Sequence, residues 1–321
     1  MFLVTGAAGF IGFHVTQRLL AEGHDVAGID SVNAYYDPAL KRTRLAVLGE
    51  NKRFRFHEAD LAEEGALEAA LTPGEATHII HLAAQAGVRH SLTAPFDYEH
   101  ANVKGHLRVL EYARRADRLE HLVYASSSSV YGDRSDGPFR ETDRCDTPAS
   151  LYAATKRSCE LMSETYARLF GLKQTGLRFF TVYGPYGRPD MAYWSFTQKV
   201  LAGETLTLFG NGELARDFTF IGDMAPAVVK AAMTPPADDP PHVIVNLGNH
   251  RPQTVNDLVA AVEKATGLKA KTEFAPRNAV EVSATYADIA RAQARFGFNP
   301  QTRLEDGVAQ FVSWYRQYTN H

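Results

Sequence analysis

Phe2-Leu3-Val4-Thr5-Gly6-Ala7-Ala8-Gly9-Phe10-Ile11-Gly12 is the stretch that decides how this chain folds. A short run of buried-strand character breaks at three glycines, and apolar residues then recur at helical spacing through Val15, Leu19 and Leu20 to a stop at Gly23. Strand, glycine turn and helix in that order put bare backbone at the positive end of a helix, where N–H groups hold a pyrophosphate. The spacing Gly-x-x-Gly-x-x-Gly departs from the commoner Gly-x-Gly-x-x-Gly fingerprint, with Ala7 where that pattern has glycine. The next strand, Asp25-Val26-Ala27-Gly28-Ile29, ends on Asp30. A carboxylate there accepts from both hydroxyls of an adenosine ribose and repels a 2′-phosphate, so the expected cofactor is NAD and not NADP. The plain alternative for Asp30 is a solvated acid at a strand end.

Working outward, strand patterns recur at Phe54-Arg55-Phe56, His78-Ile79-Ile80-His81-Leu82, His121-Leu122-Val123-Tyr124-Ala125 and Thr175-Gly176-Leu177-Arg178-Phe179, most of them separated by helical stretches. This alternation predicts an α/β fold, a Rossmann-type doubly wound parallel sheet covered on both faces. From Thr181 the rhythm changes. Gly184-Pro185-Tyr186-Gly187-Arg188-Pro189 is loop chemistry, and short strand-like runs follow at Leu206 to Phe209 and Asp217 to Ile221. The expected division is a cofactor-binding domain over 1–180, to which 223–247 return, and a smaller C-terminal α/β substrate domain over 181–222 and 248–321. Helices are expected at Trp194 to Leu201, after Asp223, and at Val255 to Thr266, Ala287 to Phe296 and Leu304 to Tyr318.

Composition narrows the setting. With 321 residues, 45% hydrophobic and 22% charged, the chain has ample apolar material for a core. A net charge of -3 gives no basic footprint, which argues against nucleic acid and against an anionic membrane as partners. No apolar run reaches the ~18 residues of a membrane span, and Met1 leads straight into Phe2-Leu3-Val4 without a signal-peptide pattern. Cys145 and Cys159 are too few for a disulfide framework and lack metal-ligand spacing, so no metal is expected and a reducing cytoplasm is the default.

The chemistry-bearing stretch is Leu151-Tyr152-Ala153-Ala154-Thr155-Lys156, which sets a phenol and an ammonium on one face of a helix start. A free tyrosine keeps its proton to about pH 10, so a phenol serving as base near neutrality needs a neighbouring cation. An amphipathic helix with a buried Tyr and a snorkelling Lys has the same spacing, and only the context upstream and downstream separates the two readings.

Taken together, Thr5-Gly6-x-x-Gly9-x-x-Gly12, the run Ser126-Ser127-Ser128-Ser129-Val130-Tyr131-Gly132 and Tyr152-x-x-x-Lys156 resemble the extended short-chain dehydrogenase/reductases that act on nucleotide sugars. The resemblance covers essentially the whole chain. Within that group, Asn33-Ala34-Tyr35-Tyr36-Asp37-Pro38, Gln85-Ala86-Gly87-Val88-Arg89 and Arg178-Phe179-Phe180-Thr181-Val182-Tyr183-Gly184-Pro185-x-x-Arg188-Pro189-Asp190-Met191 are similar to UDP-glucuronate 4-epimerases. The resemblance implies tightly held NAD, hydride transfer at C4 and reversible inversion of UDP-glucuronate to UDP-galacturonate through a 4-keto sugar. It places Phe10 and Ile11 on the pyrophosphate, Asn102 and Lys156 on the nicotinamide ribose, and Ser127 with Tyr152 on the sugar C4 hydroxyl. It also implies a homodimer through helices near Asn102 to Ala116 and Tyr152 to Phe170, where Leu161, Met162, Tyr166 and Leu169 serve either the interface or the core.

The residues support the same chemistry. Oxidising an unactivated secondary alcohol needs a base on the hydroxyl, an electrophilic nicotinamide and a second donor that steadies the oxygen. Tyr152, NAD and Ser127 fill those roles with Lys156, and Ser126 and Ser128 remain alternatives to Ser127. The candidate cofactor set is Gly6, Gly9, Phe10, Ile11, Gly12, Asp30, Ser31, Asn33, Asp60, Leu61, Leu82, Ala83, Ala84, Gln85, Asn102, Tyr152, Lys156 and Phe180. On the substrate side stand Arg89, Ser127, Ser128, Tyr152, Thr181, Arg188, Leu208, Phe209, Arg216 and Arg277. Arg216 is expected on the diphosphate, since a guanidinium matches phosphate bidentately, and Leu208-Phe209 on the uracil. Where relatives have a Pro-Gly-Asp turn, this chain reads Ala279-Val280-Glu281.

Dehydratases and decarboxylases of the family carry acids near the catalytic serine, where this chain has Ser128 and Ser129, so the reaction is expected to stay at C4. Oxidising C4 of a glucuronate makes a β-keto acid, and Ser128, Thr181 and Arg188 are expected to pin its carboxylate against loss of carbon dioxide. The rivals are a UDP-hexose 4-epimerase of the glucose/galactose type and a noncatalytic NAD-binding scaffold.

Overall fold

The structure, a computed structural model, describes residues 1–134, 136–276 and 284–320. Its strands are β1 (Phe2–Thr5), β2 (Val26–Asp30), β3 (Phe54–Glu58), β4 (His78–His81), β5 (His121–Ser127), β6 (Gln174–Phe179), β7 (Thr181–Tyr183), β8 (Thr205–Phe209), β9 (Ala215–Phe220), β10 (His242–Leu247), β11 (Pro252–Thr254), β12 (Lys271–Ala275) and β13 (Ala284–Thr285). The helices between them are α1 (Phe10–Ala21), α2 (Pro38–Gly49), α3 (Ala66–Ala70), α4 (Pro95–Tyr98), α5 (Gly105–Ala113) and α6 (Leu151–Phe170). They continue with α7 (Ala192–Ala202), α8 (Ile221–Ala232), α9 (Val255–Thr266), α10 (Ala290–Phe296) and α11 (Leu304–Thr319).

The main sheet runs β10-β6-β5-β4-β1-β2-β3, with every neighbouring pair parallel. This is the doubly wound order expected from the alternation of strands and helices, and it reverses direction between β1 and β4. At that switch point the loops leaving the carboxyl ends of the two strands diverge and open a crevice for a ligand. The period of two within the strands sorts the core onto two faces. Phe2, Val4, Val26, Ile80 and Val123 join one apolar cluster, to which α1 and α8 contribute. Leu3, Ala27, Ile29, Ile79 and Leu122 join the other, together with Val109, Leu110 and Tyr112 of α5.

Beyond β6 the chain builds smaller sheets. β9 pairs with β7, β11 and β13, and β8 pairs with β12. α8 packs on α1, and β10 lies beside β6 at the edge of the main sheet. Asp217 of β9 ties these parts together by accepting from the backbone N–H groups of Asn249, His250 and Ala287. The short strands β11, β12 and β13 have no pattern of their own in the sequence. Their pairing comes from β8 and β9, which offer them open edges.

Candidate active site at the carboxyl edge of the sheet

The glycine turn is shaped by contact as well as by charge. Gly6 has φ +72, and a Cβ on it would lie 2.7 Å from the Ala83 nitrogen, while a Cβ on Gly12 would lie 2.0 Å from the Gly6 oxygen. Only glycine fits either position. α1 starts at Phe10 with no side chain capping it and no acid in its first turn, so its first N–H groups face the crevice. A bare backbone cradle at an uncapped helix start fits a dinucleotide pyrophosphate.

Asp30 is buried and accepts from Ala8 N at 3.1 Å and Val32 N at 2.8 Å, so each carboxylate oxygen keeps one lone pair for a ribose hydroxyl. Lys41 Nζ stands 3.8 Å from Asp30 and donates to Asn33 Oδ1 at 2.8 Å. Ser31, Asn33, Asp60 and Gln85 line one cleft of about 780 Å³. Asp60 also meets His100 Nε2 at 3.0 Å, whereas Leu61 is buried in the core beneath. Leu82, Ala83 and Ala84 are half-buried, and Ala83 packs on the glycine turn with its N–H donated to Thr5 Oγ1. Phe180 is buried against Tyr131 and Phe139.

Asn102 lies in a π-helical turn, Glu99–Lys104, which no residue pattern signals. Such turns insert one residue and recur at functional sites. Its amide donates to Gln85 O and Thr155 Oγ1 and accepts from Gln85 N at 2.8 Å. Both of its N–H groups are therefore engaged, and toward a ribose it offers one acceptor lone pair.

α6 begins because the Ser150 side chain accepts from Ala153 N, and it ends at Gly171 in the left-handed region. Tyr152 is half-buried and its ring meets Tyr98 at 6.0 Å. Lys156 is buried and donates to the Ala125 carbonyl at 2.9 Å, which seats the Tyr152–Lys156 face on the end of β5. Ser126 and Ser127 diverge there. Ser126 Oγ donates to Glu160 at 2.6 Å, while Ser127 Oγ accepts from Ser129 N and starts the 3₁₀ turn Ser128–Tyr131.

On the substrate side, the Arg89 guanidinium stacks over Phe209 at 5.8 Å, while Leu208 turns into the core. Thr181 is half-buried and opens β7 opposite Phe218. Arg188 binds Asp190 through Nε at 3.0 Å and Nη2 at 2.7 Å, and Tyr35 donates to the same carboxylate at 3.1 Å. Arg188 is therefore one half of an ion pair. Its Nη1 forms no hydrogen bond among the described residues. Arg216 is half-buried and donates to the Ala215 carbonyl at 2.8 Å. Arg277 and Glu281 lie outside the described residues.

Three buried groups were not anticipated from the sequence. Arg178 and Glu160 form a bidentate pair at 2.8 and 2.9 Å directly under the serine run. Hydrogen bonds and the Arg178 charge hold the Glu160 carboxyl below its usual range against the pull of burial. Arg44, the third, is fully buried on α2. A signal existed for two of them. Glu160 continues the Tyr152, Lys156 stripe of α6 at one-turn spacing, and Arg44 interrupts the stripe of Leu40 and Leu48 at the same interval.

Comparison with known proteins agrees with this geometry. The chain is 43% identical over 331 residues to a probable UDP-glucuronate 4-epimerase of Rhizobium meliloti, covering 98% of this chain and 97% of that protein. It is 44% identical to a UDP-glucuronate 4-epimerase of Arabidopsis thaliana, covering 98% of this chain and 76% of the plant protein. Among solved structures, the UDP-glucuronic acid 4-epimerase of Bacillus cereus in complex with UDP-glucuronic acid and NAD superposes with a TM-score of 0.91 at 33% identity, covering 99% of both chains. The description NAD dependent epimerase/dehydratase family matches residues 2–248, from the first strand to the residue after β10. With the glycine cradle, the paired Tyr152 and Lys156 and this match together, the chain belongs to that family.

Proposed function

We propose that the protein interconverts UDP-glucuronate and UDP-galacturonate by inverting C4 through a 4-keto sugar, with NAD held throughout. The observation that carries this reading is the seating of Lys156 on the Ala125 carbonyl, two residues before Ser127. It docks the start of α6, which carries Tyr152, on the carboxyl end of β5, which carries Ser127.

In this reading Gly6, Gly9 and Gly12 with the N–H groups of Phe10 and Ile11 hold the pyrophosphate, and Asp30 holds the adenosine ribose. Ser31, Asn33, Asp60 and Gln85 wall the adenosine cleft, and Lys156 fixes the nicotinamide ribose. When bound, NAD supplies the acceptor for hydride from C4. Tyr152 takes the proton of the C4 hydroxyl and returns it to the same oxygen once the keto sugar has turned to take the hydride back on its other face, a general-base contribution of about 10²- to 10⁴-fold. Ser127 steadies the oxygen in both half-reactions. Ser128, Thr181 and Arg188 hold the C6 carboxylate out of line with the keto group, Arg89 and Phe209 flank the uracil, and Arg216 faces the diphosphate.

Residues 181–222 and 248–321 would then form the nucleotide-sugar side and 1–180 with 223–247 the cofactor side. A homodimer fits α5 and α6, on which Leu107, Leu161, Leu169 and Phe170 are exposed, while Met162 and Tyr166 pack on the core. Both thiols are free, which suits the cytoplasm, and among the described residues no helix is long and apolar enough to cross a membrane.

The test is to incubate the protein as purified, without added cofactor, with UDP-glucuronate, UDP-glucose and UDP-N-acetylglucosamine in turn, and to separate the products. UDP-galacturonate should form alone or fastest. Faster conversion of UDP-glucose would favour the neutral-hexose rival, and no conversion of any sugar would favour the scaffold.

A further inference from the structure

Among the described residues Arg44 has no carboxylate partner, which is unusual for a guanidinium at 0% exposure. All five of its N–H donors are satisfied by neutral oxygens. Nη1 donates to Ala8 O at 2.8 Å and to Tyr36 Oη at 2.7 Å, Nε and Nη2 donate to Tyr186 O at 3.1 and 2.7 Å, and Nη2 donates to Gly187 O at 2.9 Å. One side chain thus bolts the glycine turn that cradles the cofactor to the loop that carries Arg188. The loop needs such support. Tyr186 sits at φ 56, a conformation that costs a bulky residue of the order of 1 kcal/mol or more and persists only where its surroundings impose it. Phe13 and Trp314 pack on its ring, at 4.7 and 4.8 Å, and His14 Nε2 donates to the neighbouring Pro185 O at 2.9 Å. A Cβ on Gly187 would fall 1.9 Å from Tyr193 Oη, and that same oxygen accepts from Arg188 N.

We propose that Arg44 is a positioning residue for substrate specificity: by fixing the Tyr186 and Gly187 carbonyls it sets the Arg188–Asp190 pair in the place from which Arg188 meets the sugar carboxylate. The proposal rests on the reading that the substrate is UDP-glucuronate. Arg44 touches neither substrate nor reacting atoms. Its removal releases the 186–187 carbonyls, lets Tyr186 relax from its left-handed conformation and moves Arg188 two residues on, leaving α6 and Tyr152 in place.

The experiment compares the affinities of UDP-glucuronate and UDP-glucose for the NAD-loaded protein by calorimetry, in a Tyr152→Phe background that stops turnover. A hydrogen bond to a charged group changes binding by about ten- to a hundredfold. In Arg44→Lys, which keeps the charge and loses the fork, the preference for UDP-glucuronate should fall by about that factor while UDP-glucose affinity and NAD content stay at parent values. Tyr36→Phe, which removes one of the four acceptors and leaves the guanidinium in place, should shift the preference the same way by less. Arg44→Lys combined with Arg188→Ala should be no worse than Arg188→Ala alone, since a residue acting through another is not additive with it. An unchanged preference in both single variants overturns the proposal. So do equal losses for the two sugars, or additive effects in the double variant. If Arg44→Lys does not fold, Tyr36→Phe decides. A parent protein without preference for UDP-glucuronate would instead contradict the substrate reading itself.

Discussion

The wall made by β5 and α6 and the loop over residues 184–191 are each fixed by a buried arginine, and by opposite means. Arg178 meets Glu160 in a bidentate ion pair to which Ser126 and Arg157 add hydrogen bonds, so the wall is held by charge. Among the described residues Arg44 donates only to carbonyl and phenol oxygens, so the loop is held by the geometry of its backbone. A charge pair is sensitive to losing either partner, because the other is left uncompensated in a dry site. A guanidinium on carbonyls instead reports any movement of the chain that carries them. The wall is therefore built for invariance, as chemistry demands, and the loop for placement, as recognition demands.

The sharpest way to break this division is Tyr152→Phe, which should lower turnover by about 10²- to 10⁴-fold while NAD content and unfolding midpoint hold. Near-parent turnover would remove the wall from the chemistry. Next in size, Glu160→Ala should cost about 3 to 5 kcal/mol in urea unfolding by stranding Arg178, and Glu160→Leu with Arg178→Met should recover most of it. A loss under about 1 kcal/mol in the single variant would mean that charge does not hold the wall.

On the loop side, Thr181→Ala and Arg188→Ala should weaken UDP-glucuronate binding by about ten- to a hundredfold and release UDP-pentose through decarboxylation of the keto sugar. Parent rates with no pentose would take the carboxylate away from the loop. Smallest is a pH effect shared by both regions. Burial pushes His14, under the loop, and His121, at the start of β5, down to about 4, and His81 of β4 down to about 3. These folded values lie below the unfolded 6.5, so the unfolded chain binds the extra protons as pH falls. Stability should be full above pH 6.5 and decline toward 4, each histidine contributing a slope of about 1.4 kcal/mol per pH unit. His14→Gln should flatten the decline of the unfolding midpoint between pH 7 and pH 5, and equal parent midpoints at the two pH values would contradict the buried neutral imidazoles.

The same contrast explains what was legible in the sequence. Gly6 to Gly12, Asp30 and the Tyr152, Lys156 pair declare themselves because a single element holds each of them and the period of that element is visible. The serine run announced a strand end, but only Glu160 beneath it separates Ser126 from Ser127, and that contact joins residues 34 apart in the chain. The loop motif from Gly184 to Met191 points to Arg188 as a charge for the substrate carboxylate. Asp190, two residues on in the same motif, pairs with it, and Tyr35 from the loop after β2 donates to Asp190, a contact that no local pattern records. Arg44 reaches carbonyls 142 and 143 residues away, and backbone acceptors leave no mark on residue identity at all.

The most direct measurement follows UDP-glucuronate carrying deuterium at C4, given to the protein as purified in ordinary water without added NAD, by NMR. UDP-galacturonate should appear with the deuterium still on C4, because the hydride leaves and returns within one closed site. Absence of UDP-galacturonate, or its appearance with the label lost to solvent, would contradict the proposed mechanism.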